Sequence, residues 1–190
     1  MMDSHLEESL SAILLQYQTS FNNKVFANET DEYDLLMNVF SLTPKIKRKY
    51  GQYWGTQLGR CWQKIITEIC KNSCQDFQPV LKIKDVGELC DLRVGKYAID
   101  TQYRIGSGDK GTHDKFRYYG NLLTEMGYTP TILILRNDNL PDAINACKGG
   151  QWQVFTEQDS MDFIQRISGV DVKTFLENQA GKYTVSRNLI

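Results

Sequence analysis

The sequence predicts an α/β fold, with a central mixed β-sheet that is flanked by helices and preceded by N-terminal helices. Residues 1–70 show helical spacing, residues 80–105 alternate with period two, and residues 131–135 form a short apolar run. This order of helices, hairpin, helix, strands and helices is typical of layered α/β proteins. The 190 residues suit one domain. We divide it into a helical N-terminal part (1–53), a core (54–156) and C-terminal helices with a tail (157–190).

The first part of the chain predicts three helices. Ser4 and Glu7 form a capping box ahead of apolar residues at helical spacing. A second helix is expected to begin near Thr30 and to end before Pro44. A third is expected at 54–70, with one apolar stripe made by Leu58, Trp62, Ile65, Ile66 and Ile69.

The core segment predicts strands and one long helix. Gly95-Lys96 separates two alternating runs, Asp91–Val94 and Tyr97–Asp100, and this predicts a tight hairpin. A glycine-rich loop follows at 106–111. The remaining elements are expected to be a helix at 113–126, a buried strand at 131–135, a strand around 154–155, and helices at 158–168 and 171–179.

Composition excludes some classes of protein. No run approaches the roughly 18 apolar residues of a membrane span, and the acidic N-terminus shows no secretory pattern. We therefore expect a cytoplasmic protein without a membrane partner. The net charge of -1 gives no overall attraction to nucleic acid, but a locally basic cleft remains compatible with it. The five cysteines include no C-x-x-C pair, so they are either buried thiols or, for Cys70 and Cys74 on one helix face, metal ligands.

One strand face concentrates polar groups. In a strand over residues 97–105, Ala98, Asp100, Gln102 and Arg104 lie on one face, while the opposite face can pack on a core. The hairpin turns Asp91 back toward Asp100, so the two carboxylates converge. Mg²⁺ takes oxygen ligands and typically binds one or two carboxylates together with substrate phosphate. The alternative is that Asp100 and Gln102 form an ordinary solvent-facing strand surface.

The segment Cys90–Arg104 resembles the PD-(D/E)XK nuclease superfamily, which includes most type II restriction endonucleases. Asp91 matches the first acid of that pattern and Asp100 the second. Cys90 replaces the usual proline, and Gln102 stands where the family usually has lysine. The resemblance implies a restriction-endonuclease-like core, with Asp91 and Asp100 binding Mg²⁺ and Gln102 positioning water or phosphate. Because Gln cannot act as a cation or a base, the metal would have to contribute more to water activation.

The resemblance also implies a function. We expect a type II restriction endonuclease of a restriction system that cuts double-stranded DNA at a short palindromic site. Such enzymes usually act as homodimers, because a two-fold protein matches a two-fold DNA site. Three alternatives stay open: a repair or structure-specific nuclease of the same superfamily, a DNA-binding module without catalytic activity, and a nucleotide-binding oxidoreductase built on the glycine-rich loop at 106–111.

Two further segments suggest DNA contacts. The first is a basic cluster with interleaved aromatics, in which Lys47, Arg48 and Lys49 suit phosphate contacts unless the segment is only a solvated linker. The second is the end of the polar strand and the glycine-rich loop, with Arg104, Ser107, Lys110, Thr112 and His113. Arg104 could instead pair with the acids of the site and help to fold the hairpin, and His113 could have only a capping or surface role. Glu68, on the preceding helix, could reach the metal.

The glycine-rich loop also matches a different motif. Gly106–Gly111 contains G-x-G-x-x-G, the dinucleotide-binding fingerprint, and Asp138 follows at the end of the next strand. The first strand of a dinucleotide-binding sheet is expected to be buried on both faces. We favour the phosphate-contact interpretation because Asp100, Gln102 and Arg104 give this strand a polar face.

Overall fold

The computed structural model describes residues 4–22 and 24–185, and shows an α/β fold with a five-stranded mixed sheet flanked by helices. The helices are α1 (Ser4–Asn22), α2 (Leu35–Phe40), α3 (Pro44–Lys49), α4 (Gly51–Ser73), α5 (Lys110–Glu125), α6 (Pro141–Gly149), α7 (Gln158–Ser168) and α8 (Val172–Asn178). The strands are β1 (Val25–Phe26), β2 (Phe77–Gln78), β3 (Leu81–Ile83), β4 (Gly87–Cys90), β5 (Leu92–Val94), β6 (Tyr97–Gln102), β7 (Ser107–Gly108), β8 (Thr129–Ile134) and β9 (Gln153–Thr156).

The main sheet has the strand order β2-β5-β6-β8-β9. Its antiparallel half contains the predicted hairpin, in which β5 pairs with β6 and Val94 lies opposite Tyr97. Gly95 turns the chain there with a φ of 52°, a conformation that favours glycine. The parallel half runs β6-β8-β9, and helices α5 and α6 make the two crossovers. The hairpin, the buried strand β8, strand β9 and the last two helices are confirmed.

Both faces of the sheet are covered by hydrophobic side chains. One cluster lies under α4, α7 and α8 and includes the fully buried Trp62, whose indole N–H donates to the carbonyl of Leu133 at 3.2 Å. The other lies under α5 and α6 and includes Leu123 and Ile132. Strand β6 is therefore buried on both sides at Ala98 and Ile99. The expectation of one continuous polar face was wrong for the first half of the strand, and polar groups begin only at Asp100.

The N-terminal region differs from the expectation in its boundaries. The second helix begins at Leu35 rather than near Thr30, because the Asp34 carboxylate caps it by accepting the N–H of Met37. Pro44 does not end a helix but begins α3, where its missing N–H costs nothing. Helix α4 is longer than predicted. The predicted Ser4–Glu7 capping box involves side chains that lie outside the described ones, as do residues 186–190 of the tail.

Two small pairings lie outside the main sheet, and the first attaches the N-terminal segment to the core. Strand β1 pairs with β7 inside the glycine-rich loop, and the N–H of Ala27 donates to the carbonyl of Gly106 at 2.9 Å. The hairpin β3–β4 lies beside the main sheet. Helix α1 is a separate feature, because its central apolar side chains Leu10, Ile13, Leu14 and Leu15 are exposed. None of the described helices combines the length and apolar character needed to cross a membrane.

Two helical glycines make a matched test of this packing. We expect Gly120→Ala to lower the free energy of unfolding by about 1–3 kcal/mol, because its new Cβ would lie 1.8 Å from the carbonyl oxygen of Gly150. We expect Gly55→Ala to raise it by about 1 kcal/mol, because a Cβ there meets no atom within 4 Å. Urea unfolding of the two variants beside the unmodified protein measures both effects. Equal effects of the two substitutions would contradict this account of α5 and α6 packing.

Candidate active site

The polar groups of β6 open into a cleft at the carboxyl end of the strand. Asp100 and Gln102 are half-buried there, and the side-chain amide of Gln102 donates to Oδ2 of Asp100 at 2.9 Å. The cleft has a volume of about 270 Å³. Its other lining residues are Glu88, Leu89, Thr112, Lys115, Phe116, Tyr119 and Trp152. Asp100 and Gln102 therefore face a concave polar space and not an open sheet surface.

The Asp91 carboxylate is held by three donors. Oδ2 accepts the backbone N–H of Thr101 at 2.8 Å and its hydroxyl at 2.5 Å, and Oδ1 accepts the side-chain amide of Gln63. The N–H of Asp91 donates to the carbonyl of Ile99 at 2.9 Å, which fixes its backbone beside β6. These contacts place Asp91 next to the residue that follows Asp100, as the hairpin predicted.

Gln63 and Thr101 were not found by sequence reasoning. Thr101 was assigned to the core-facing side of β6, and it is indeed buried, with its hydroxyl turned to Asp91. Gln63 lies on α4, and no local pattern shows which polar residue of a helix points to a strand. Glu68, which was expected near the metal, is exposed and accepts the side-chain amide of Asn72 on its own helix at 2.8 Å. Gln63 takes the place predicted for Glu68.

The charge of Asp91 makes the ionisation of Asp100 more costly. Burial raises the pKa of Asp100 to about 7, with the charge of Asp91 as the second cause, against the opposing effects of Gln102 and Lys115. Burial also raises the pKa of Asp91, although its bonds from Thr101 and Gln63 oppose the shift. Carboxylates that repel each other in a cleft are strained as anions, and perturbed groups of this kind are enriched at functional sites.

The donor set fits a hard divalent cation. Asp91 and Asp100 supply carboxylate oxygens, and a cation between them would relieve the repulsion that raises the pKa of Asp100. Over residues 4–22 and 24–185, no group of three or more His, Cys, Asp or Glu side chains could hold a metal. The protein would thus provide two carboxylates and leave the other positions to water or substrate, as Mg²⁺ sites typically do. Cys70 and Cys74 likewise lack a third ligand in this part of the chain.

A second, larger cleft adjoins the first. It has a volume of about 440 Å³ and lies between α4 and the end of β6. Gln102 lines both clefts, and Gln63 and Thr101 line the larger one. Helix α4 contributes three residues without side chains to the wall of this cleft, because Gly51, Gly55 and Gly59 follow one another at helical spacing. Its remaining lining residues are Glu29, Lys47, Thr56, Arg60, Tyr103 and Arg104.

The predicted basic cluster is divided by the structure. Lys47 is 3% exposed, pairs with Glu29, and lies 4.4 Å from the ring centre of Tyr103. Burial is the main cause that lowers the pKa of Lys47. Arg48 and Lys49 are exposed, and Arg48 pairs with Asp31. Two of the three predicted phosphate contacts therefore lie on the surface, while Lys47 supports the wall of the larger cleft.

Arg104 pairs with Asp138 and not with the acids of the proposed site. Its guanidinium donates to the backbone carbonyls of Asp138 at 2.8 Å and Ala27 at 2.7 Å, and it lies 3.2 Å from the Asp138 carboxylate. Arg136, which is 4% exposed, binds the same carboxylate at 2.9 Å. Arg136 also binds Asp34 at 3.0 Å. Arg104 is therefore bound within the ion-pair network of Asp138, Arg136 and Asp34, and its guanidinium is not free to contact phosphate.

The glycine-rich loop is closed by its own contacts. The Asp109 carboxylate accepts the N–H of Thr112 at 2.9 Å, caps α5, and pairs with Lys24 at 2.8 Å. Ser107 belongs to β7, and Lys110 is exposed. His113 Nε2 is buried without a hydrogen-bond partner among the described residues, and it packs on Gly108. Four loop residues were predicted to contact phosphate. Among these four, only Lys110 has an exposed side chain.

These contacts also bear on the dinucleotide motif. Asp109 occupies the N-terminus of α5, where a pyrophosphate would have to accept N–H groups, and Asp138 is held by Arg136. The loop therefore offers no unoccupied phosphate cradle. The polar groups Asp100 and Gln102, on which the sequence-based argument against this motif rests, line a cleft, although the first half of β6 is buried on both faces at Ala98 and Ile99.

Comparison of the chain with protein-family models, with curated proteins and with solved structures finds no significant match in any of the three.

The raised pKa of Asp100 predicts a pH dependence of protein stability that can be measured without a substrate. Its folded-state pKa of about 7 lies above the roughly 3.9 of an unfolded chain, so the unfolded state releases its proton first. The contribution of Asp100 to stability therefore falls as the pH rises from about 4 to about 7, and stays constant above that. We expect Asp100→Asn to be more stable than the unmodified protein at pH 8 in EDTA. The advantage should shrink by about 2 kcal/mol at pH 5.

Thermal unfolding at several pH values measures this difference. Asp114→Asn is the control, because it removes only an exposed ion pair with Arg117 and should alter stability by less than about 1 kcal/mol at every pH. A constant difference between Asp100→Asn and the unmodified protein from pH 5 to 8 would show that Asp100 is not a strained carboxylate.

Proposed function

We propose that the protein is a Mg²⁺-dependent nuclease that hydrolyses phosphodiester bonds of double-stranded DNA. The observation that supports this most strongly is Asp100, which lines a cleft at the end of β6 and whose ionisation is disfavoured by the nearby charge of Asp91. Two carboxylates held by a rigid β-sheet are what a hard cation and a phosphate require.

The fold is consistent with the proposal. The order α4, hairpin β5–β6, α5 and β8 follows the helix, hairpin, loop, helix and strand that the resemblance to PD-(D/E)XK nucleases implies. The mixed sheet between helices also agrees with a restriction-endonuclease-like core. Within that superfamily we propose a type II restriction endonuclease, acting in the cytoplasm on a short palindromic site.

The chain's own residues have distinct tasks in this proposal. Asp91 and Asp100 would hold the metal, which when bound stabilises charge on phosphate and lowers the pKa of a nearby water. Thr101 and Gln63 fix the orientation of the Asp91 carboxylate by their hydrogen bonds. The Gln102 amide lies at 2.9 Å from Asp100 and borders both clefts, so it can orient water or a phosphate oxygen.

The reaction is a hydrolysis. The oxygen of water forms a bond to phosphorus, one phosphorus–oxygen ester bond breaks, and the leaving deoxyribose oxygen keeps the electron pair. That oxygen takes up a proton, and the proton lost by the attacking water passes to solvent. No oxidant or organic cofactor is needed.

The DNA partner is proposed from surface charge next to the clefts. Arg48, Lys49 and Lys110 are exposed, and Arg60 is exposed on the wall of the larger cleft. A duplex bound through these groups would show affinity that falls steeply with salt concentration. Lys47, Arg104, Ser107, Thr112 and His113 would instead shape the protein behind that surface, given their internal contacts.

Digestion of phage-length duplex DNA tests the catalytic proposal. With Mg²⁺ we expect discrete bands, and with EDTA none. Asp100→Ala should lose at least about 1,000-fold in rate, because it removes one of two proposed metal ligands. Asp142→Ala is the control, since this exposed acid lies on α6 and lines neither cleft.

Each other outcome favours a different protein class. A smear that Asp100→Ala abolishes would indicate a repair or nonspecific nuclease. Intact DNA, together with tight and salt-dependent duplex binding, would indicate a DNA-binding module without catalysis. Intact DNA without binding would overturn the nuclease proposal.

We propose that the active form is a homodimer, since a palindrome presents two equivalent strands to cut. Helix α1 offers an exposed apolar surface for a second copy, through Leu10, Ile13, Leu14 and Leu15. Sedimentation of the unmodified chain should give twice the monomer mass of 21.9 kDa, and Leu14→Glu with Leu15→Glu should give the monomer. Gln57→Glu, at an exposed position of α4, is the control. A monomer at micromolar concentration with and without DNA would exclude this dimer.

A further inference from the structure

The cleft beside Asp100 contains a cationic side chain, although the residue at the motif's usual lysine position is the uncharged Gln102. Of the described residues that line this cleft, Lys115 is the one with a positive charge. It lies on α5, five residues after the start of the helix, and its side chain is exposed at the cleft's edge. Thr112 and Tyr119, which are three and four residues away on the same helix, line the cleft beside it.

The position of the ammonium group is supported by an aromatic ring. Nζ of Lys115 lies over the ring of Tyr119, 5.0 Å from its centre. The hydroxyl of Tyr119 donates to the carbonyl of Val86 at 2.8 Å, so the ring is tied to the turn between β3 and β4. A cation over a fixed aromatic face is held without being neutralised, in contrast to a cation in a salt bridge. Lys115 and Asp100 line the same cleft, so the ammonium group faces the space beside the carboxylate.

Three of the cations near the clefts are bound to partners within the protein, and Arg60 lines the larger cleft and not the one beside Asp100. Lys47 pairs with Glu29 and Arg104 with Asp138. Arg93 donates to the carbonyl of Pro79 at 3.2 Å and to the hydroxyl of Tyr128 at 3.1 Å. Gln102, on the strand itself, is uncharged and its amide is directed to Asp100. The side of the cleft next to Asp100 thus receives its positive charge from helix α5.

We propose that Lys115 supplies, from helix α5, the positive charge that stabilises the phosphate at the Asp100 site. This inference rests on the proposed nuclease function. The ammonium group of Lys115 takes no part in proton transfer. It stabilises the negative charge that builds up on the phosphate oxygens when water adds to phosphorus and the ester bond breaks. Because this charge is largest in the transition state, Lys115 should affect kcat more than the binding of DNA.

The proposal is tested by moving the positive charge from position 115 on α5 to position 102 on β6. Cleavage of duplex DNA with Mg²⁺ is compared for the unmodified protein, Lys115→Gln, Lys115→Arg and the double variant Lys115→Gln with Gln102→Lys. We expect kcat to fall about 100-fold in Lys115→Gln, to fall less in Lys115→Arg, and to recover at least about tenfold in the double variant. Lys71→Gln, an exposed lysine in the last turn of α4, should cleave at the unmodified rate.

Two readouts separate this role from a structural one. The Kd for the same duplex, measured in EDTA, should change less than about threefold in Lys115→Gln. Its melting temperature should stay within about 2 °C of the unmodified protein, since an exposed cation contributes little to stability.

The possible results distinguish the two proposals. If the unmodified protein cleaves DNA, Asp100→Ala does not, and Lys115→Gln cleaves within about threefold of the unmodified rate, the Lys115 proposal is overturned and the nuclease proposal stands. The same holds if Lys115→Gln is impaired only through weaker DNA binding. If the unmodified protein cleaves no duplex, the nuclease proposal fails and the role of Lys115 fails with it.

Discussion

Arg136 connects the two parts of this molecule. It follows β8, is 4% exposed, and donates to Asp34 and Asp138 as well as to the backbone carbonyls of Thr30 and Glu32. A buried guanidinium is tolerated only when its donors are satisfied, and the acids around it would be equally costly without it. The same Asp34 also caps α2 and accepts the hydroxyl of Tyr103. The N-terminal segment is therefore attached to the carboxyl ends of the parallel strands by charge and hydrogen bonds in addition to apolar contact.

That attachment shapes the clefts. It positions Glu29 and Lys47 against Tyr103 at one side of the larger cleft. On the other side of β6, helix α5 begins where Asp109 and Lys24 pair, and this helix presents Thr112, Lys115 and Tyr119 to the smaller cleft. The two carboxylates lie between these walls, where burial makes their ionisation expensive. Acids that are buried beside a cleft lower the stability of the fold. Their presence is more consistent with a functional site than with an ordinary solvent-facing strand.

Much of the sheet could be predicted from local sequence, because strands and turns depend on near neighbours. Gly95 needs a positive φ, and the alternation around it defines the hairpin and the placement of Asp91 beside Asp100. The apolar run of β8 was recognisable for the same reason. The burial of Lys47 and the orientation of Gln63 could not be predicted, because their partners Glu29 and Asp91 lie 18 and 28 residues away. The position of Lys115 beside Asp100 could not be predicted either, since it depends on how α5 crosses the sheet.

The long separations in the N-terminal attachment have a consequence for synthesis. Asp34 meets Arg136 across 102 residues, Thr30 meets Asp138 across 108, and Lys24 meets Asp109 across 85. This N-terminal segment therefore emerges from the ribosome before its partners have been made, while local elements such as α4 and the hairpin form without that delay. The larger cleft gains Glu29 and Lys47 from this late docking step, and the lining of the smaller cleft is complete only with Trp152, which follows β8. During translation Asp100 would thus face an unfinished pocket, and the completed one would exist only after the chain has been made beyond β8.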